Sequence, residues 1–324
     1  MLAGVNHFYI YDNESTDDTK KILQPYIDKG VVTYTFYPGK ARQYEAYNDA
    51  VQNYRFFCRY MAFIDADEFI FPKTDQSISE VADEVLSDKK NSVALVAHMI
   101  TFGSNGQKKA DYSRGVLERF ARRAPNDYAP PDSNNIPGGN AYLKTILNPR
   151  CVNFFDDPHH AKFFVDCHAV DEGGNISSLS IKLPVLADKI VVNHYHTKSY
   201  EEYRQKVQRG NADFVENRYS MKNFEKNDRN EIFDDGILKY RDSRKNFSTE
   251  SFEEMQTRIL NALEKNLLSV SPKNLPANFL DDKAETFLIC LTVGEKFKFK
   301  SGERFISEYA LFWLYQTIRL ENYL

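Results

Sequence analysis

Apolar and polar stretches alternate along residues 5–70, and their lengths predict strands separated by helices. Short apolar runs bounded by polar residues or glycine are typical of strands, whereas longer amphipathic stretches are typical of helices. The predicted strands are residues 6–11, 31–37 and 60–64, and the predicted helices are residues 20–29 and 41–57. Strands that alternate with helices indicate a mostly parallel sheet covered on both faces. Ligands bind beyond the carboxyl ends of the strands in such sheets, and Asp12 and Asp65 fall there.

Three carboxylates, Asp65, Asp67 and Glu68, follow the third predicted strand. If the chain stays extended, Asp65 and Asp67 point to the same side, because side chains two apart in a strand share a face. Two like charges about 4 Å apart repel by about 4 kcal/mol at an effective dielectric near ~20. A divalent cation with oxygen ligands relieves that repulsion. A solvated acidic turn has the same short pattern, so the surrounding motifs must decide between the two.

A polar loop joins the first predicted strand to the helix that follows it. Ser15 and Thr16 are suitable N-caps for that helix, and Asp17 and Asp18 suit the positive end of its dipole. These residues either only cap the helix or also line a site at the carboxyl end of the strand.

Several short motifs follow one another along the chain. They are Gly4-Val5, residues 11–19, Gln43 with Ala46-Tyr47-Asn48, residues 63–69, residues 102–106, Glu118-Arg119-Phe120, Lys144, Pro158-His159-His160 and residues 194–199. Their order resembles glycosyltransferase family 92 and, more distantly, the inverting enzymes of family 2, which usually have glycine where this chain has Glu14. The resemblance covers residues 3–242. It implies an α/β A-type glycosyltransferase fold, a Rossmann-like mixed sheet with helices on both faces, for residues 1–242. Beyond the resemblance, a capping box from Ser251 to Glu254 predicts a helix over 251–268, and we expect a helical appendage at 243–324.

The same resemblance implies a nucleotide-sugar donor of the UDP class, held together with Mn²⁺ or Mg²⁺. Asp12 would contact the base or ribose, Asp65 the ribose or the metal, and Asp67 the metal directly. The donor-binding residues expected in this part of the chain are Asp12, Asn13, Glu14, Gln43, Asn48, Asp65 and Ala66. Oxygen ligands suit both ions, so the sequence does not choose between them.

Two histidines, His194 and His196, follow closely after the apolar run at residues 190–192. A histidine at such a position is more often a hydrogen-bonded core residue than a ligand. The family resemblance implies instead that His194 binds the metal. His196 is a further metal candidate, because it shares a face with His194 if the strand continues that far.

The segment after the histidines supplies candidate cations for a pyrophosphate. Lys198 belongs to the resembling motif, and Ser199 with Glu202 forms a capping box, which predicts that a helix begins there. Lys206 and Arg209 would project from that helix one turn apart. Charged residues on a helix usually form only a solvated face, and that alternative stays open.

Sugar transfer to a hydroxyl requires a base that removes the hydroxyl proton. The resemblance favours inversion by a single displacement with Glu118 as the base, because related enzymes carry an acidic residue at this place. A surface ion pair with neighbouring arginines is the alternative for Glu118. Other candidate bases are Asp156, Asp157, Asp166 and Asp171. Gly103, Ser104 and Asn105 are expected on the acceptor side, because glycine lets backbone approach a ligand closely, although an ordinary loop has the same composition.

Charge and cysteine content restrict the partners and the compartment. The net charge of −4, from 42 basic and 46 acidic residues, gives no sign of a nucleic-acid partner. The four cysteines have no C-x-x-C spacing, which predicts free thiols in a reducing compartment, and a glycan on the sequon at Asn13 would block the proposed nucleotide loop, so we expect a cytoplasmic protein. No apolar run reaches the ~20 residues of a membrane helix. Residues 296–300 and 305–320 either contact an anionic membrane at its surface or pack on the main domain.

We therefore expect a metal-dependent glycosyltransferase, of bacterial origin, that moves a hexose to a glycan or lipid-linked glycan in polysaccharide or lipopolysaccharide synthesis. One alternative is a catalytically silent relative that binds nucleotide or sugar. The other is a metal-dependent hydrolase that uses the histidines, although no H-E-x-x-H motif is present. Family members usually have a strand and a helix before the Gly4 position, so we expect this chain to lack that strand and to bind the donor more weakly than a full-length relative.

Overall fold

Residues 1–87 and 91–242 are described by a computed structural model of the chain. The helical appendage predicted for residues 243–324 lies outside the described residues, together with the candidate membrane-surface segments at 296–300 and 305–320. Strands and helices alternate over the first part of the described chain, and strands predominate between residues 92 and 194.

The strands and helices predicted for residues 6–57 are all present, with shifted bounds, and the third predicted strand is shortened to two residues. The strands are β1 (Phe8–Asp12), β2 (Val32–Phe36), β3 (Met61–Ala62), β4 (Glu68–Pro72), β5 (Ser92–Thr101), β6 (Arg122–Arg123), β7 (Leu143–Leu147), β8 (Val152–Phe155), β9 (Ala161–Phe163), β10 (His168–Val170), β11 (Ile176–Ser177), β12 (Ile190–His194) and β13 (Ile232–Phe233). The α-helices are α1 (Thr19–Ile27), α2 (Gln43–Tyr54), α3 (Ile78–Leu86), α4 (Val116–Arg119), α5 (Tyr200–Arg209), α6 (Met221–Asn227) and α7 (Lys239–Asp242).

A parallel pair, β1 and β2, begins the fold, and α1 connects the two strands. The helix begins at Thr19 with Asp18 as its N-cap, so the N-cap predicted at Ser15 or Thr16 was wrong. The physical reason is that the Asp12 carboxylate accepts the backbone N–H of Ser15 at 2.9 Å, which holds the intervening residues as a loop.

The main sheet is built around β5. One edge of β5 pairs with β7, which also pairs with β3. The other edge pairs with β10 near its start and with β12 near its end, and the sheet extends to β11 and β4. Only the β5–β10 and β5–β12 pairings of this sheet are parallel, so a mixed sheet replaces the mostly parallel one that the early strands predicted. The chain from β5 to β7 contains no long crossover helix, and β7 returns antiparallel to β5.

Helices cover both faces of the main sheet. Alternate residues of β5 belong to two different core clusters, because successive side chains of a strand point to opposite faces. α2 packs into one cluster with β3, β7 and β8, and α3 packs into the other with β12. α3 begins with a capping box and buries five apolar side chains. The four larger ones, an isoleucine, a leucine and two valines, each contribute roughly 1.5–3 kcal/mol when fully buried.

The described residues therefore form an α/β fold, as predicted. The polar residues of interest lie at strand ends, with Asp12 at the end of β1, His194 at the end of β12 and Asp65 between β3 and β4. Across the described parts of the chain, every helix is too short or too polar to cross a bilayer.

Candidate functional site

A tight turn between β3 and β4 contains the acidic residues. β3 ends at Ala62, so Asp65 and Asp67 lie in a turn rather than in an extended strand, and the prediction that they share one face was wrong. The backbone N–H of Asp65 donates to the Glu68 carboxylate at 3.0 Å, and the N–H of Glu68 donates to the carbonyl of Asp65 at 3.0 Å. These two hydrogen bonds fix the turn at the start of β4.

The carboxylate of Asp65 lies against α2. Gln43 donates to its Oδ1 at 2.6 Å, and the hydroxyl of Tyr47 donates to the same oxygen at 3.3 Å. The ammonium of Lys144 is 3.6 Å from Oδ2, and 41% of the Asp65 side chain remains exposed. The carboxylate is therefore held in one orientation while part of it faces solvent.

Lys144 is a buried counter-ion of the acidic turn. Only 1% of its side chain is exposed, and its Nζ lies 3.0 Å from the Glu68 carboxylate and 3.2 Å from the carbonyl of Pro158. Burial opposes the positive charge, but the carboxylates of Asp65 and Glu68 outweigh it and raise the pKa of the ammonium. Lys144 is therefore charged at neutral pH, as a cation buried beside carboxylates requires.

Asp67 has a different set of partners. One carboxylate oxygen accepts a hydrogen bond from Lys206 at 2.8 Å, and the other lies 3.9 Å from Nε2 of His194. Burial by itself raises the pKa of Asp67, but the nearby Lys206, His194 and Lys198 outweigh it and bring the pKa well below its usual range. Burial lowers the pKa of His194 to about 4, so its imidazole is neutral at pH 7, which is the form that binds metals.

The pairing of β12 with β4 determines the position of the histidines. It places His194 opposite Glu68, and the N–H of Tyr195 donates to the carbonyl of Asp67 at 2.9 Å. β12 ends at His194, so the strand does not continue to His196, and the condition for a shared strand face is not met. The two imidazole rings lie 5.0 Å apart and nearly perpendicular, and burial lowers the pKa of His196 well below its ordinary value.

The helix predicted to begin at Ser199 is α5, and both halves of its capping box are present. Lys206 lies in this helix and reaches Asp67, whereas Arg209 is exposed at the helix end. Lys198 precedes the helix with a φ of 52°, and burial lowers its pKa although Asp67 acts in the opposite direction. Of the predicted cations, Lys206 is therefore the one that contacts the acidic turn.

Asp67 and His194 are the residues best placed to share a metal ion, because their Oδ1 and Nε2 atoms are 3.9 Å apart. Among the residues with described positions, no three His, Cys, Asp or Glu side chains gather into a ligand set. Two of the four predicted metal ligands have other partners: Asp65 accepts a hydrogen bond from Gln43, and His196 faces Lys206. Asp67 and His194 are the remaining two. Mg²⁺ is commonly held by one or two carboxylates and completed by substrate phosphates and water. The Asp67 and His194 pair fits an ion that arrives with a diphosphate.

The loop after β1 is closed by its own polar side chains. Asp12 is buried and accepts the N–H of Ser15 at 2.9 Å, and Asn13 donates to the carbonyl of Gly39 at 2.7 Å. Glu14 accepts the N–H of Gly39 at 3.0 Å and has a φ of 62°. That left-handed conformation favours glycine, so Glu14 stands where the backbone is suited to a smaller residue.

α2 connects the end of β1, just before this loop, to the acidic turn. The hydroxyl of Tyr11 donates to Asp49 of α2 at 2.6 Å, while Gln43 of the same helix holds Asp65. Asn48 uses its side-chain amide differently, because it donates to the carbonyl of Phe155 at 2.9 Å and accepts the N–H of Phe155 at 2.7 Å. Asn48 therefore anchors β8, which favours a structural role over the predicted role in donor binding.

The loop predicted on the acceptor side packs against the segment that follows α6. Ser104 donates its N–H to Asp228 at 2.6 Å, and Asn105 donates into the same segment at 2.7 Å. A Cβ on Gly103 would lie 2.2 Å from the carbonyl oxygen of Arg229. Glycine is thus required for the close approach of protein backbone, and the acceptor role of the loop stays a prediction.

Glu118, the predicted base, is exposed on α4. The neighbouring Arg119 pairs with Glu202 at 2.8 Å, and Arg123 pairs with Asp234 at 2.6 Å. These two arginines thus direct their guanidinium groups to other carboxylates. Of the competing bases, Asp171 is buried and accepts from Lys182 at 2.9 Å, which indicates a structural role. The base therefore stays a prediction.

The sequence model of glycosyltransferase family 92 matches residues 1–260. The chain belongs to glycosyltransferase family 92. It is 24% identical over 217 residues to a glycosyltransferase family 92 protein of Ricinus communis, in a match that covers 65% of this chain and 34% of the relative. It is 33% identical over 84 residues to a galactan beta-1,4-galactosyltransferase of Arabidopsis thaliana, with 24% of this chain and 16% of the relative covered. The chain thus spans a minor part of either relative's length.

Membership of family 92 confirms the family predicted from the motifs and supports the expectation of a glycosyltransferase. Both relatives come from plants, and the bacterial origin stays a prediction.

The sequence assigned no role to Lys144 or to the motif Pro158-His159-His160. In this family 92 chain, β7, which contains Lys144, is hydrogen-bonded to that motif. The carbonyl of Pro158 accepts from Lys144 at 3.2 Å, and the carbonyl of His159 accepts from the hydroxyl of Thr145 at 2.8 Å. The sequence signals for Lys144 were its place among the resembling motifs and its single charge in a largely apolar stretch.

The histidines considered for a hydrolase are His159, His160, His168, His194 and His196, and within the described residues they do not gather into one ligand set. Three of them use a ring nitrogen in a hydrogen bond to protein. The partners are the carbonyl of Leu143 for His159, the carbonyl of Ser177 for His160 and the hydroxyl of Ser92 for His168. Together with membership of family 92, these separate hydrogen bonds favour the transferase over the hydrolase.

Proposed function

We propose that this family 92 chain is a glycosyltransferase with an A-type fold. In this proposal it moves a hexose from a UDP-sugar to a hydroxyl of a glycan or lipid-linked glycan, with inversion and with Mn²⁺ or Mg²⁺ as cofactor. We assign this activity to the cytoplasm and to the synthesis of a surface polysaccharide or lipopolysaccharide. The observation that supports it most is the arrangement of Asp67 beside a neutral His194 and the ammonium of Lys206 at the end of β12.

The donor would extend from the loop after β1 to the acidic turn, because α2 contacts both the end of β1 and the acidic turn. The base and ribose would lie on the side of Asp12, Asn13 and Glu14. Gln43 holds the carboxylate of Asp65 in one orientation, with an exposed part available for a ribose hydroxyl. Polar groups that are fixed before binding lose little freedom when the ligand arrives.

The diphosphate would lie between Asp67 and the cations of α5. Held by Asp67 and His194, with Asp65 nearby, a divalent cation would act as a Lewis acid for the negative charge of the leaving diphosphate. Lys198 and Lys206 place positive charge on the same side and would stabilise that charge directly.

The acceptor hydroxyl must lose its proton as it attacks the anomeric carbon. Glu118, which is exposed on α4, is the proposed base. Replacement of Glu118 by Gln should then lower acceptor-dependent transfer while leaving UDP-sugar affinity unchanged. Loss of donor affinity instead would assign Glu118 to another role.

Turnover of UDP-galactose tests the proposal, because one relative is named as a galactosyltransferase. We expect UDP release with Mn²⁺ and galacto-oligosaccharide acceptors, loss of release in EDTA, and a decrease of about a hundred-fold or more in Asp67→Asn. Asp75→Asn is the control, because it removes an exposed carboxylate from the loop between β4 and α3, and its activity should equal that of the wild type. Undiminished activity in EDTA would reject the metal. UDP binding without turnover across a panel of UDP-sugars would identify a silent relative.

A further inference from the structure

The ammonium of Lys206 is hydrogen-bonded to the carboxylate of Asp67, which is also a ligand of the proposed metal. Its Nζ is 2.8 Å from Oδ2 of Asp67, 3.3 Å from Nδ1 of His196 and 3.4 Å from the carbonyl of His196. The same ammonium lies 5.2 Å from the centre of the Tyr219 ring. Lys206 thus has partners on several sides while it rests on Asp67.

A divalent ion on Asp67 would stand beside this ammonium. The other oxygen of Asp67 faces Nε2 of His194 at 3.9 Å, so the ion would enter next to a carboxylate that is already paired. Only 13% of the Lys206 side chain and 14% of the Asp67 side chain are exposed, and burial strengthens the repulsion between two cations in this space. The ammonium and the metal therefore compete for Asp67.

A diphosphate changes this competition, because it brings new oxygen acceptors for the ammonium. Lysine has a flexible stem of four carbons, so its charge can turn to a new anion without movement of the helix. α5 itself is held at its start by the capping box of Ser199 and by the pair of Arg119 with Glu202. The stem of Lys206 can therefore turn to a new anion while the helix stays in place.

We propose that Lys206 is an exchangeable counter-ion that keeps the affinity for metal low until the nucleotide diphosphate arrives. Without nucleotide, the ammonium neutralises Asp67. With nucleotide, it transfers to a phosphate oxygen and leaves Asp67 to the metal, so nucleotide and metal strengthen each other's binding by the same factor. This inference rests on the proposed function, because it requires a metal and a nucleotide diphosphate at the same site.

Mn²⁺ affinity, measured by calorimetry on the full chain with and without UDP, tests the exchange. The decisive variant is Lys206→Met, which removes the charge and keeps an unbranched stem. Arg204→Met is the matched control, because Arg204 is an exposed cation of the same helix. Lys206→Arg restores the charge, and Asp67→Asn identifies the site. Binding of Mn²⁺ to UDP alone is subtracted, and thermal melting shows that each variant is folded.

In the wild type we expect UDP to raise the Mn²⁺ affinity by about ten-fold or more. Lys206→Met should bind Mn²⁺ about ten-fold more tightly than the wild type without UDP, and its gain on adding UDP should be much smaller. Lys206→Arg and Arg204→Met should behave as the wild type, and Asp67→Asn should lose the site. An unchanged nucleotide-free affinity in Lys206→Met, beside a normal UDP effect, would overturn the exchange alone. Absence of Mn²⁺ binding in every protein, with UDP present, would overturn the proposed metal as well.

Discussion

The guanidinium of Arg119 donates two hydrogen bonds, of 2.8 and 2.9 Å, to the two carboxylate oxygens of Glu202. Only 2% of the Arg119 side chain and 9% of the Glu202 side chain are exposed. Glu202 also accepts from Ser199 in the capping box of α5. This pair therefore joins α4, beside the predicted base, to the helix whose Lys206 contacts Asp67.

Removal of one partner of this pair should destabilise the fold. Arg119→Met is expected to cost about 3–5 kcal/mol in the free energy of unfolding, because it leaves the buried carboxylate of Glu202 without its cation. Urea unfolding measures the loss. Arg114→Met is the matched control, since Arg114 pairs with Asp111 at 3.4 Å on the surface and such pairs contribute about 0–1 kcal/mol. Equal losses in the two variants would contradict a structural role for the Arg119 pair.

The same pair should make stability depend on acid pH. Burial by itself raises the pKa of Glu202, but hydrogen bonds from Arg119 and Ser199 outweigh it and bring the pKa below its ordinary value of 4.5. The stabilisation is therefore complete above the unfolded-state value and is lost as the pH falls through the lower folded-state value. Unfolding free energies of the wild type and Glu202→Gln, measured from pH 7 to pH 3, should converge below about pH 4.5. Parallel curves would show that Glu202 titrates normally.

Lys144 should be essential for the stability of the fold, because its buried ammonium neutralises the buried carboxylate of Glu68. Lys144→Met leaves the Glu68 carboxylate buried without its cation and is expected to cost about 3–5 kcal/mol in the free energy of unfolding. The double variant with Glu68→Gln should recover much of that loss, because neither buried charge remains. Lys162→Met, at a half-exposed pair with Asp156, is the control and should change stability by less than about 1 kcal/mol. No recovery in the double variant would show that Lys144 stabilises mainly through another contact.

Substitution of Asn48 distinguishes a structural role of its side-chain amide from a role in binding the donor. Asn48→Ala removes both hydrogen bonds to the backbone of Phe155 and should cost about 1–3 kcal/mol in stability, since a buried backbone group loses its partner. UDP affinity, measured by calorimetry, should change by less than about two-fold. Asn13→Ala, on the exposed loop after β1, should show the reverse pattern. Weaker UDP binding by Asn48→Ala at unchanged stability would restore the donor-binding role.

Local sequence patterns were sufficient for the secondary structure of residues 6–57, for the capping box that begins α5 and for the family of the chain. Each of these depends on residues within one helical turn, one strand or one short motif, and spacing encodes such relationships directly. The bounds were less accurate at Asp18, where side chains of the loop, rather than the pattern, determine the start of α1.

The tertiary structure alone decided which carboxylate meets which cation. Asp67 is bound by a lysine 139 residues further along the chain, and Lys144 becomes a counter-ion because β7 meets the acidic turn beside the β8–β9 hairpin. Local patterns likewise did not determine the mixed strand directions of the main sheet, because these follow from connections between distant segments. By itself the sequence determined that acidic and basic residues were present at strand and helix ends. Their pairing depends on packing between segments, which no local period specifies.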